Sequence, residues 1–105
     1  MSLKSKWQPI AERIKRSTGI EADAFALAAY DAMWVIAYSL EKTNGTVADY
    51  TNLKTVFAQQ SNTYNGVTGT TALDSFGDRS SGAFAYWGLK KSGTTYTWTM
   101  TGTSE

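Results

Sequence analysis

Apolar positions recur at helical spacing through the first sixty residues, and the period changes to two after Gly66. Trp7, Ile10, Ala11 and Ile14 mark the first stretch, with Glu12, Arg13, Lys15 and Arg16 between them. Pro9 fits only a first helical turn, which puts the expected start between Lys6 and Gln8. Gly19, after Ser17-Thr18, suits a left-handed C-terminal cap. The second stretch, Ala22 to Lys42, has no breaker and is apolar on nearly all sides, so it predicts a long helix buried all round. A membrane span is disfavoured by Asp23 and Asp31, since a central carboxylate costs about 3 kcal/mol on insertion. Asn44-Gly45 stops this helix. Asp49 is the expected N-cap of a third, with Leu53, Val56, Phe57 and Ala58 on one face.

Val67 to Leu73 then reads as a Thr-rich strand. Ala83 to Leu89 and Thr94 to Met100 read as two more, joined as a hairpin through Lys91-Ser92-Gly93. In the last run Tyr96, Trp98 and Met100 share one face, and Thr95, Thr97 and Thr99 the other. Three helices followed by three strands is an α+β order that cannot by itself build a parallel βαβ sheet.

Composition narrows the chemistry. At 105 residues the chain is at most one domain, and with 42% apolar residues it is not disordered. Ten basic residues nearly cancel nine acidic ones, so non-specific phosphate binding has no electrostatic drive and nucleic acid is not an expected partner. There is no Cys and no His, which removes disulfides, thiolate nucleophiles, the serine triad and most transition-metal sites. The start, Met1-Ser2-Leu3-Lys4, lacks the apolar run of a secretory signal.

The stretch "GVTGTTALDSFGDR", Gly66 to Arg79, carries the remaining candidates. Asp74, Gly77 and Asp78 look like part of a calcium loop, but the carboxylate spacing of an EF-hand is missing. A tight turn explains them better: Asx hydrogen bonds at the aspartates and a positive φ at Gly77. Gly66 and Gly69 open no helix, so they form no phosphate cradle. Asp31 belongs on a buried face, where it is either a base of raised pKa or an acceptor for a backbone or hydroxyl partner; the second is the commoner use. No pair of residues forms a catalytic constellation, so no enzyme and no cofactor are expected.

The order of these segments resembles the C-terminal third of type I periplasmic binding proteins, the Leu/Ile/Val-binding or extracellular ligand-binding receptor family. Tyr30-Asp31-Ala32 matches the family's Tyr-Asp-Ala run in the long helix. Gly66, Gly69, Asp74, Gly77 and Asp78 match its Gly-x-x-Gly strand and Gly-Asp corner, with Leu73 where Phe is usual. The likeness runs from about Trp7 to Trp98. It implies an α+β piece of a two-lobed α/β fold: residues 1–78 in lobe one, 79–82 as a hinge crossing entered through Asp74, Gly77 and Asp78, and 83–105 as a lobe-two hairpin and tail. It also implies an extracytoplasmic protein that delivers a small ligand, such as a branched-chain amino acid, to an ABC transporter permease. Phe25 matches the family's cleft-facing aromatic; as bare chemistry an aromatic at a helix start also suits a core. The alternative is a standalone α+β module that dimerises without ligand. On either reading a greasy helix and unpaired strand edges predict that this chain is a homodimer.

Overall fold

The computed structural model describes residues 3–45 and 49–104. Helix α1 spans Lys4–Thr18, α2 Ala24–Lys42 and α3 Tyr50–Thr63. Strands β1 (Asn65–Gly66) and β2 (Gly69–Thr70) form a minimal antiparallel hairpin, and β3 (Ala85–Ser92) pairs antiparallel with β4 (Thr95–Thr103). The class is α+β, as expected, but with two hairpins in place of three strands.

Asp49 caps α3 as expected, accepting from the Asn52 N–H at 3.0 Å; Asp23, expected inside the long helix, instead caps α2 by accepting from the Ala26 N–H at 2.8 Å, and each satisfies one orphan donor of a first turn. Gly19 ends α1 with φ 73°, and Asn44 and Gly45 both take positive φ beyond α2. Helix α1 begins earlier than expected, at Lys4, so Pro9 lies inside it rather than in its first turn. The Leu3 carbonyl accepts from Lys6 and Trp7, which builds a turn ahead of the proline. The ring disturbs only the turn before it, which is the first of the helix.

The expected strand from Val67 to Leu73 does not form. The chain reverses at Val67 and Thr68 instead, and Gly69, at φ 95°, opens the return strand opposite Gly66. Side chains then take the place of a ladder. The Ser61 hydroxyl donates to the Thr71 carbonyl at 2.5 Å, the Thr71 hydroxyl donates back to the Ser61 carbonyl at 2.8 Å, and the Leu73 N–H donates to Asn62 Oδ1 at 3.1 Å. The segment is stapled along the end of α3, and beyond it Leu73 forms an isolated bridge with Arg79.

Helix α2 is not buried all round. Asp31, Val35 and Ser39, four residues apart, form its buried stripe against α3 and the β1–β2 turn. Val35 is the one buried hydrophobic residue among those described. On other sides of the helix Phe25, Met33, Trp34 and Ile36 are exposed, since no described element covers them.

The C-terminal hairpin turns through Gly93 and Thr94; Lys91 and Ser92, expected in the turn, belong to β3. Gly93 has φ 62° and Thr94 a negative φ, the sign pattern of a type II′ turn. Trp87 pairs with Met100, Leu89 with Trp98 and Lys91 with Tyr96, which gathers five apolar side chains on one face. No residue of β3 or β4 is buried.

The molecule is therefore extended. Its radius of gyration is 17.5 Å, against about 13 Å for a compact domain of this length. Its accessible surface is 7893 Å², roughly 2,000 Å² above that of a folded monomer of its mass.

Candidate functional site

Asp31 is the centre of the most ordered part of the molecule. Helix α2 carries it on the stripe that meets the β1–β2 turn, and it is 1% exposed. Its carboxylate accepts from the Val67 N–H at 2.9 Å, the Thr68 N–H at 2.8 Å and the Thr68 hydroxyl at 2.5 Å. Two successive N–H groups in a tight turn make a small nest for an anion. Here the anion comes from the chain itself, which satisfies the turn and neutralises the need for an external ligand. Gly66 has no room for a side chain, since a Cβ there would overlap the Asp31 carboxylate. Of the two chemical uses open to a buried aspartate, the geometry is that of an anchor.

Arg79 extends the network. Its guanidinium donates to the Thr68 hydroxyl at 3.0 Å, to the Thr68 carbonyl at 3.1 Å and to the Thr70 carbonyl. The Thr68 hydroxyl thus donates to Asp31 and accepts from Arg79, linking a buried anion to a surface cation through one oxygen. The adjoining Ser80 is fixed as well, its N–H and hydroxyl both donating to the Ala72 carbonyl at 2.8 and 3.0 Å.

Tyr64 borders the same centre. Its hydroxyl lies 3.5 Å from Asp31, too long for a strong hydrogen bond. Partial burial, then the negative charge of Asp31, push its pKa from 10.0 up to about 12. Its ring continues an aromatic ladder along α2, through Tyr38 at 5.9 Å to Trp34 and Tyr30.

Beside this centre lies an open groove of about 620 Å³. Trp7 and Phe25 line it on the side of the helices, Val67, Thr68 and Arg79 at its floor, and Phe84 on the side of the C-terminal hairpin. The lining is largely apolar and includes one charged side chain, Arg79. Phe25 is 84% exposed, so it is not the core aromatic that bare chemistry allowed. Such a groove has the make-up of a small-molecule site, an apolar body with few polar groups.

The other expected site residues lie elsewhere. Asp74, Gly77 and Asp78 close a turn beside α3. Asp74 accepts from the Phe76 and Asp78 N–H groups at 2.8 and 3.0 Å, and Gly77 has φ 90°. The turn borders a second cavity with Phe57 and Leu73, separate from Phe25. No cluster of three or more potential metal ligands occurs among the described residues. Sequence reasoning assigned no role to Thr68 or Tyr64, knew Gly66 only as part of the Gly-x-x-Gly match, and placed Arg79 only by its position at the start of the crossing. The one available signal was a glycine and an arginine flanking a Thr-rich run in a chain with a buried acid.

Among the described residues no helix is long and apolar enough to cross a membrane. Comparison with curated proteins and with solved structures gives no match. A family model described as the receptor family ligand binding region matches residues 4–92, the span that holds the Asp31 network, nearly all of the groove lining and the first strand of the C-terminal hairpin, and the chain belongs to that family of extracellular or periplasmic ligand-binding regions.

Proposed function

We propose that this chain is the C-terminal part of an extracytoplasmic solute-binding protein that passes a small ligand to an ABC transporter permease. In this reading residues 1–78 belong to one lobe, 79–82 to a crossing and 83–105 to the second lobe. The ligand is a small molecule with an apolar body, such as a branched-chain amino acid. The observation that carries the reading is the groove between the helices and the start of the hairpin, with Phe25 and Trp7 on one wall and Phe84 on the other. Two walls from different parts of the chain suit a ligand held by closure. Family membership adds a ligand-binding role at the level of the family.

Calorimetric titration of the full-length polypeptide with leucine, isoleucine and valine tests it. Phe25→Ala is expected to weaken binding by tenfold or more, about 1.4 kcal/mol. Unchanged affinity removes Phe25 from the site, and no saturable binding of any of the three removes this ligand class. The 105-residue chain alone is expected to bind none of them, since it supplies only part of the cleft.

The uncovered surface favours a second reading, a self-associating module. A roughly 2,000 Å² excess exceeds the about 800 Å² that each partner buries in a standard interface. Light scattering tests the self-association: an 11.5 kDa monomer with a cooperative melt excludes the dimer.

A further inference from the structure

We infer that the groove beside the Asp31 centre takes an aryl carboxylate without an ammonium group, its ring among Trp7, Phe25 and Phe84 and its carboxylate on the guanidinium of Arg79. This ligand class deepens the solute-binding reading above and rests on it. It departs from the branched-chain amino acid named there as an example, because the groove has a place for the acid group and none for the amine.

The charges of the groove decide the class. Arg79 is the one charged side chain of the lining, and no Asp or Glu belongs to it. A guanidinium carries five N–H donors. Here Nη1 donates to the Thr68 hydroxyl at 3.0 Å, and Nη2 donates to the Thr68 and Thr70 carbonyls. These neutral acceptors fix the plane of the group without answering its charge. The Nε–H and one Nη1–H find no acceptor among the described residues, and Arg79 forms no salt bridge among them. Asp31 is linked to it only through the Thr68 hydroxyl, and that carboxylate is 1% exposed, with its own donors in the turn. Asp23, which precedes the lining residue Ala24, is held by the Ala26 N–H as the cap of α2. The lining therefore offers a solute a positive charge and no negative one.

A fixed cation with open donors beside apolar side chains suits a carboxylate, which gains a charge-assisted hydrogen bond there. An ammonium on the same solute would lose water against apolar side chains, with no partner and a like charge nearby. The ring follows from the walls. Trp7 comes from α1, Phe25 from α2 and Phe84 from the segment ahead of the hairpin. Phe25 and Phe84 are 84% and 63% exposed, so their rings are open to a visitor. Aromatic side chains receive another ring edge-on or offset. The volume of about 620 Å³ lies within the range of about 300–1,000 Å³ that small molecules occupy.

Calorimetric titration of the full-length polypeptide with four probes on one skeleton tests this. Phenylpropionate carries the acid alone, phenylalanine the acid and the amine, phenethylamine the amine alone, and phenylpropionamide neither charge. Phenylpropionate is expected to bind about tenfold or more tightly than each of the others. Arg79 also holds the β1–β2 turn, so its variant is read as a ratio of affinities. Arg79→Gln is expected to cut the advantage of the acid over the amide by about tenfold, whereas Phe25→Ala weakens both alike. A turn that merely loosens weakens acid and amide together and leaves the ratio where it was. Phenylalanine bound as tightly as phenylpropionate, or a ratio unchanged in Arg79→Gln, overturns the inference. Leucine bound without phenylpropionate overturns it while the solute-binding reading stands. Phenylpropionate bound without leucine upholds it and removes only the branched-chain example, and binding of neither overturns it.

Discussion

Replacing Asp31 by alanine removes the acceptor for three short hydrogen bonds, from two backbone N–H groups and one hydroxyl. Bonds to a charged group contribute about 1.5–3 kcal/mol each, and the donors left behind are only part-buried, so water recovers some of the loss. The net cost is expected at about 4 kcal/mol. A chain of this length has roughly 5–15 kcal/mol in all, and one in which a single valine is the buried apolar core among the described residues belongs at the low end. Asp31→Ala should therefore unfold most of the population in water. Asp31→Asn keeps the shape and one acceptor oxygen but turns an amide donor towards a backbone donor, so about 2 kcal/mol is expected. Urea denaturation followed by helical circular dichroism measures both, and a double-mutant cycle of Asp31→Asn with Thr68→Val should show coupling of about 1 kcal/mol or more. If Asp31→Ala falls within about 0.5 kcal/mol of the unaltered chain, the carboxylate is not the anchor of the turn.

Gly66→Ala places a methyl group on the Asp31 carboxylate and should cost about 2 kcal/mol or more by the same urea assay. Gly77→Ala forces a side chain into positive φ with open space around it, so the cost is backbone strain alone, about 1 kcal/mol; an unchanged midpoint refutes it. Tyr64 holds its proton more tightly when folded, so its contribution to stability is full below pH 10.0 and is lost as pH rises through about 12. Spectrophotometric titration should show one tyrosine ionising late, and Tyr64→Phe should lack that alkaline loss. Millimolar calcium should leave the melting temperature unchanged, because the Asp74 carboxylate already accepts two backbone bonds; a rise reversed by chelator contradicts this.

What the sequence made legible was local. Asp49 sits one residue before a periodic run and was read as a cap, which needs nothing but its own first turn; Asp23 does the same for α2 but was read as part of that helix. Gly77 and Asp74 announce their turn for the same reason. Asp31 was legible as a buried acceptor because an acid three residues before Trp34, in a helix this apolar, must find donors. Its partners were not legible, since Val67 and Thr68 offer backbone N–H groups that no residue type advertises. The strand misread from Val67 to Leu73 has the same cause: alternating threonines fit a ladder, but Thr71 is claimed by Ser61 and the N–H groups before it by Asp31. Pro9 was misjudged because its cost depends on whether the preceding turn is held, and here it is an end. Arg79 escaped notice because a surface arginine in a corner looks like any other until the carbonyls of Thr68 and Thr70 converge on it.

The distribution of polar and apolar contacts carries the last step. Helix α2 turns Asp31, Val35 and Ser39 inward and leaves Met33, Trp34 and Ile36 outside, the reverse of what a free-standing amphipathic helix does. The inward groups find every partner they need within the chain: the nest for Asp31, the Val35 carbonyl for the Ser39 hydroxyl at 2.7 Å. No buried side-chain polar atom among the described residues lacks a partner. The outward groups stay exposed, and the five apolar side chains on one face of the hairpin share that condition. At about 25 cal/mol per Å² of apolar area, covering even half of the roughly 2,000 Å² excess is worth up to about 25 kcal/mol, more than a domain of this size has to spare. Satisfied polar junctions beside an unsatisfied apolar surface mean that the hydrogen bonds define how the segments join, while the surface defines what must still be laid against them.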